Sequence, residues 1–222
     1  MLAAALQILF FAAPWPLRRL LLNALFGYRI HRKARIGFSL IVCKMFEARE
    51  GVLVGHCNVI RNVERVLFEE NVVIGNFNWV AGAAKPHPIY YRDQAYRDPS
   101  LIMRRDSSLS SNHRIDCTDC VEIGAFTTIA GSHCEILTHS VDISKGRQIA
   151  GPVQVGTYCF VGSRSVLLKD SYLPDYSVLA AGSVLTKRLD GEYSLFGGVP
   201  ARKIRDLSAD SEYFRRTVGA VR

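Results

Sequence analysis

Of the six histidines in the chain, His87, His113, His133 and His139 lie in its middle third, where acid–base chemistry can be built. A neutral imidazole takes a proton near neutral pH, which is what makes an alcohol nucleophilic. His139 stands in Leu137-Thr138-His139-Ser140, ahead of the polar stretch 141–148. Asp142, Glu135 or a backbone carbonyl could orient its ring. Cys117 and Cys120 form a CxxC pair, half of a zinc site, but the chain has no second pair. Cys117 also falls six residues before Ile123, on the aliphatic position of a repeat, so it reads as a buried small residue.

The elements that must position these groups follow from that repeat. Ile149, Val155, Val161, Leu167, Leu173, Leu179 and Leu185 stand six residues apart, and Val153, Cys159, Ser165, Ser171, Ser177 and Ser183 are small or compact residues in a second register. Neither a helix nor a flat strand keeps that phase, whereas short strands and turns wound into a parallel β-helix do, with three hexapeptides to a coil. The pattern returns around Ile36, Ile74, Ile123 and Ile129, which predicts coils from about residue 30 to 187. Residues 83–111, with Pro86, Pro88 and Pro99, and residues 141–148 read as loops leaving the coil or as an irregular coil. Helical character is expected over 208–217.

With 222 residues, 49% hydrophobic and 22% charged, the chain fits one packed domain and is too apolar for disorder. Six dilute cysteines fit a reducing compartment. The net charge of +8 is uneven: Arg18, Arg19, Arg29, Arg32, Lys33 and Arg35 lie in the first 40 residues, which hold no Asp or Glu. The apolar start, broken at Pro14 and Pro16, is too short to span a bilayer and lacks the basic lead of a signal peptide. It predicts two short helices that cap the fold or lie on a membrane surface. The expected units are an N-terminal segment 1–28, a β-helix 29–187 and a tail 188–222.

Three blocks carry a family resemblance: Gly151-Pro152 through Gly162-Ser163, Leu179 through Gly182-Ser183 to Lys187, and Gly197-Gly198-Val199-Pro200-Ala201-Arg202-Lys203. In their order and spacing the chain resembles the hexapeptide-repeat acyltransferases over roughly residues 30–207. Ile115-Asp116 leading to Val121-Glu122-Ile123-Gly124, and Leu137-Thr138-His139-Ser140, are most similar to the sugar and polysaccharide O-acetyltransferases. The resemblance implies an all-β, left-handed parallel β-helix with short N-terminal helices, a projecting loop and a C-terminal helix. It implies an acetyl-CoA-dependent O-acetyltransferase, acting on a sugar hydroxyl in surface polysaccharide or glycolipid assembly.

The same resemblance makes His139 the general base and the backbone N–H of Ser163, after Gly162, the oxyanion donor. Gly162, Ser163, Gly182, Ser183, Lys187, Arg202 and Lys203 become the coenzyme groove, with Arg205 beside them. Asn112, His113 and Asp116 become the acceptor site. It further implies a homotrimer with its active sites between subunits, no metal and no nucleic-acid partner. The cytoplasm is the expected location, with peripheral contact at the inner membrane face supplied by the basic N-terminus. Two rival readings stand beside it. One is a γ-class carbonic anhydrase-like zinc hydratase, whose closely spaced histidine pair the six-residue step from His133 to His139 does not match; the other is a non-catalytic β-helix scaffold.

Overall fold

Leu167, Leu173, Leu179 and Leu185 have no measurable exposure, and Val161, Ser165 and Ser177 are equally buried, so both registers of the six-residue repeat point into one core. The computed structural model describes residues 2–87 and 89–221; Pro88, in the expected insertion, lies outside the described residues. Each coil contributes three short parallel strands, and stacked coils form three faces. The first face stacks Val121–Ile123, Val153–Val155 and Ser171–Leu173. The second stacks Thr128–Ile129, Phe160–Val161 and Val178–Leu179. The third stacks Arg114–Asp116, Glu135–Leu137, Val166–Leu168 and Val184–Leu185. This is the expected left-handed parallel β-helix.

The corners hold the stack in register. Between second and third faces a ladder of inward polar side chains climbs the coils: the Asn58 amide N–H groups reach Ser39 Oγ, the Asn78 amides reach Asn58 Oδ1, and His113 N–H donates to Asn78 Oδ1 at 2.9 Å. Between first and second faces, Phe126, Tyr158, Tyr176 and Tyr193 adopt left-handed backbone conformations and stack ring on ring at 4.6, 5.4 and 4.7 Å. Gly124 allows the coils to approach there, since a Cβ would stand 2.4 Å from the Gly156 carbonyl.

Between third and first faces the corner changes character along the molecule. Early on, the long strands Leu40–Ala48 and Val59–Phe68 run straight through it. Later the chain leaves there twice. After Trp79–Ala81 it departs and returns at Ser100–Met103, and after Glu135–Leu137 it forms the antiparallel hairpin His139–Asp142/Arg147–Ala150. The first excursion is therefore shorter than expected, because residues 100–103 and 108–109 are back in the coil. Residues 141–148 are mostly hairpin, and Ile149 belongs to it, so the first member of the six-residue run is not a coil position.

Both ends of the coil are covered. Helices α1 (Leu2–Phe10) and α2 (Trp15–Phe26) pack on the first coil. At the other end the repeat continues beyond Lys187 to Ser194–Gly197, on which Arg202–Asp206 pairs antiparallel as a charged edge. Such an edge resists further strand pairing. The C-terminal helix α3 is only Glu212–Arg215, shorter than the stretch expected, and Phe214 sets its ring edge-on to Tyr176 and Tyr193.

Candidate active site

His139 is the first residue of the hairpin, placed where the third face ends, and Asp116 lies one coil earlier at the end of its own strand. Parallel pairing puts Asp116 opposite Leu137. Two residues on, the His139 ring turns back, bringing Nδ1 to 2.7 Å from Asp116 Oδ2. A carboxylate only accepts, so Nδ1 carries the proton and Nε2 keeps its lone pair. Asp116 is itself clamped: Thr118 donates from its N–H and hydroxyl to Oδ1 at 3.2 and 2.7 Å, and Thr138 from its N–H and hydroxyl to Oδ2 at 2.9 and 2.7 Å.

The electrostatics follow from that clamp. Burial would raise the Asp116 pKa, but the hydrogen bonds from His139, Thr138 and Thr118 outweigh it and hold the carboxyl below its ordinary value. The hydrogen bond to Asp116 raises the His139 pKa against the opposing effect of burial. Asp116 is therefore the partner that orients the ring. Asp142 instead accepts from Ser144, and Glu135 lines the cleft without bonding His139.

The pair opens onto a cleft of about 540 Å³ along the third face, with Trp79, Tyr90, Tyr91 and Arg114 among its walls. The two excursions from the corner make its rim and are tied together. Gln94 donates to the Gln148 carbonyl at 3.1 Å and accepts from Ala150 N–H at 2.9 Å, while Arg147 pairs with Asp93. Arg97 is buried beneath them, donating to the carbonyls of Ala83 and Thr118 at 3.0 and 2.7 Å with its guanidinium over Tyr91. Sequence reasoning missed Trp79, Thr118 and Thr138; the adjacent Tyr90 and Tyr91 are the signal that could have pointed to an aromatic wall.

The remaining expected site residues are dispersed. Asn112 is exposed in a second cleft of about 390 Å³, bounded also by Trp79, Arg114 and Glu135. His113, expected at the acceptor, borders the same cleft, but its ring is buried in the corner ladder, where Nδ1 accepts from Cys134 N–H at 3.1 Å. Burial depresses its pKa to about 4, and Nε2 has no partner among the described residues. Gly162, Ser163 and Gly182 occupy that same corner, at the opposite end of the third face from His139, so one chain does not bring Ser163 to His139.

Ser163 N–H makes no hydrogen bond among the described residues, and Gly182, at φ 71°, has open space where a Cβ would stand. Gly162 serves coil stacking, since its Cβ would meet Ala181 N at 2.5 Å. Ser183 is buried with Oγ accepting from Gly198 N–H, which removes its hydroxyl from any ligand surface. Lys187 is exposed, and Arg202 and Lys203 lie on the terminal edge strand, where Lys203 pairs with Asp206 at 2.6 Å. Cys117 is buried in the core.

No protein-family model matches the chain. Solved structures do, and they define the class of fold. An N-acyltransferase, AntD from Bacillus cereus, in a variant bound to dTDP-4-amino-4,6-dideoxyglucose and coenzyme A, superimposes with a TM-score of 0.54 at 16% identity over 86% of this chain and 89% of that one. The same enzyme with dTDP and 3-hydroxybutyryl-CoA gives 0.51 at 16% identity, over 82% and 81%. A hexapeptide-repeat acetyltransferase from Vibrio cholerae aligns at 0.47 and 16% identity, over 93% and 89%. The chain thus has the fold of the hexapeptide-repeat acyltransferases.

Proposed function

We propose that this protein transfers an acetyl group from acetyl-CoA to a sugar hydroxyl. The observation that carries the reading is the His139–Asp116 pair facing an aromatic-walled cleft. With Nδ1–H held by Asp116, Nε2 takes the acceptor's proton, and the carboxylate stabilises the resulting imidazolium. A hydroxyl needs that base; an unprotonated amine is already nucleophilic, so a built base favours O- over N-acylation. Flat faces of Trp79, Tyr90 and Tyr91 suit the apolar face of a pyranose, and Arg114 adds a donor for an oxygen-rich or anionic acceptor. The bound ligands of the AntD structures, coenzyme A and a nucleotide sugar, support both halves of this reading.

The second half of the site is proposed to come from a neighbouring subunit of a homotrimer. Charge developing on the thioester carbonyl oxygen needs a donor in place, and the N–H of Ser163, unpaired among the described residues, sits at the wrong end of the third face to serve His139 of its own chain. Packing that corner of one subunit against the His139 corner of the next supplies it, and cyclic closure repeats the site three times. The pantetheine arm would pass over Gly162 and Gly182, with Lys187, Arg202 and Lys203 toward the phosphates. We place the protein in the cytoplasm, where acyl-CoA donors are made, and its acceptor in surface polysaccharide or glycolipid assembly. Thiol release from acetyl-CoA, screened over free sugars, nucleotide sugars and their amino analogues, tests the reading; release driven only by amines would replace O- with N-acetylation.

A further inference from the structure

Between Leu2 and Phe26 the chain has four polar side chains, Gln7, Arg18, Arg19 and Asn23, and all four point inward. Gln7 pairs with the backbone of Ile41 in both directions, at 2.5 and 2.9 Å. Arg18 caps the carbonyls of Ile36 and Gly37, its guanidinium stacked on Trp15. Arg19 donates to the Ile30 carbonyl at 3.1 Å, and Asn23 pairs with Ile30 on both sides. These groups satisfy the open end of the first coil as another coil would. The helical hairpin is consequently inside-out: its polar groups face the protein, and Leu2, Ile8, Leu9, Leu17, Leu20 and Leu25 are all exposed on its outer side.

An uninterrupted apolar surface on an otherwise charged protein marks an interaction face. Arg29, Arg32, Lys33 and Arg35 are exposed on the first coil directly beneath it, and among the described residues only Arg29 and Lys33 of these have carboxylate partners, in Glu47 and Glu50. Arg32 and Arg35 remain in excess, so the rim of the apolar face is positive. Among the described residues no helix is long and apolar enough to cross a membrane. We propose that α1 and α2 insert their outer leucines into one leaflet of an anionic bilayer, with the basic rim at the phosphate level and the coil axis leading away from it. This corrects the basis of the sequence expectation. Arg18 and Arg19 are spent on the coil end, and the attraction comes from leucines plus a rim in which Arg32 and Arg35 are the charges in excess. The proposal does not depend on the acyl-transfer reading.

The test is flotation of the whole protein with vesicles of phosphatidylcholine, alone or mixed equally with phosphatidylglycerol. The expected result is binding to the mixed vesicles that weakens with added salt. The double variant Leu9→Glu/Leu20→Glu should lose at least about tenfold in binding while keeping its melting curve and thiol-release rate. In a second measurement that does not rely on these variants, Leu17→Trp in the Trp79→Phe chain sets an indole on the outer face, and brominated acyl chains should quench it beyond the level of the inward-facing Trp15 alone. Absence of flotation, undiminished flotation of the double variant, or absence of quenching overturns the proposal. So does a sedimenting mass that doubles through cap-to-cap pairing and halves in the double variant, which would assign the leucines to a second copy.

Discussion

His139 Nδ1 lies 2.7 Å from Asp116 Oδ2, although 23 residues separate the two in sequence, because Asp116 ends its strand opposite Leu137 of the next coil and His139 opens the hairpin two residues later. One coil provides the imidazole and the coil below holds the carboxylate, so the pair forms only when the stack is in register.

If His139 is the base, His139→Ala should lower kcat by about a hundred- to ten-thousand-fold with little change in acetyl-CoA affinity. His133→Ala, at an exposed corner where the ring bonds Ser132 Oγ and not Asp116, should change kcat little. Steady-state kinetics on both variants, with folding checked by circular dichroism, decides the assignment. A kcat within about threefold of wild type for a folded His139→Ala protein rejects it.

Asp116→Asn should separate orientation from basicity. The raised His139 pKa means that the base is protonated, and inactive, up to a higher pH than an ordinary histidine at about 6.5. The acid limb of kcat/KM should therefore lie above that value in wild type and move to lower pH in Asp116→Asn. The plateau should fall as well, by up to about 10⁴-fold where the tautomer is lost. A pH–rate profile whose acid limb is unmoved would exclude coupling between the two groups.

His113 gives a stability signature in place of a catalytic one. Its pKa of about 4 in the folded chain lies below the unfolded value near 6.5, so the unfolded state binds the extra proton between these limits. The stability associated with neutral His113 is full above pH 6.5 and is lost as pH falls toward 4, on the order of 2–4 kcal/mol. Asn fills the same ladder position at Asn58 and Asn78, so His113→Asn should flatten the melting temperature against pH over that window while leaving kcat near wild type. An unchanged slope removes His113 as its source.

Gly124→Ala tests the close stacking of coils. Its new Cβ would lie against backbone, the Gly156 carbonyl at 2.4 Å, which cannot rotate aside. Forcing the coils apart should cost about 1–3 kcal/mol, a melting shift of several degrees by calorimetry. Gly182→Ala, where nothing lies within 4 Å but φ is 71°, should be milder, its cost coming from backbone conformation alone.

The trimer is tested by light scattering together with activity. A stable monomer retaining full turnover would show that Ser163 is not required from a neighbour, since the two corners do not meet within one chain. The expected result is a species three times the 24.8 kDa chain mass that loses turnover on dilution into monomers.

The coil was legible from residue spacing because Val155 pairs with Leu173 and Val161 with Leu179, each eighteen residues on, and both inward registers must be apolar or small to fit between stacked strands. Any six-residue slip would keep that pattern, so local sequence sufficed for a parallel β-helix and for His139 as a candidate, while its left hand came from the family resemblance. The site lies where this regularity fails. Asp116 pairs twenty-one residues on with Leu137, and Val121 pairs thirty-two residues on with Val153, the second step enlarged by the hairpin of 139–150; excursions of different length at that corner break the period. Their lengths carry no periodic signal. Which carboxylate meets His139, that Gln94 ties one excursion to the other, and that Arg18 turns inward to cap a coil end are all contacts between segments whose register only the assembled stack defines.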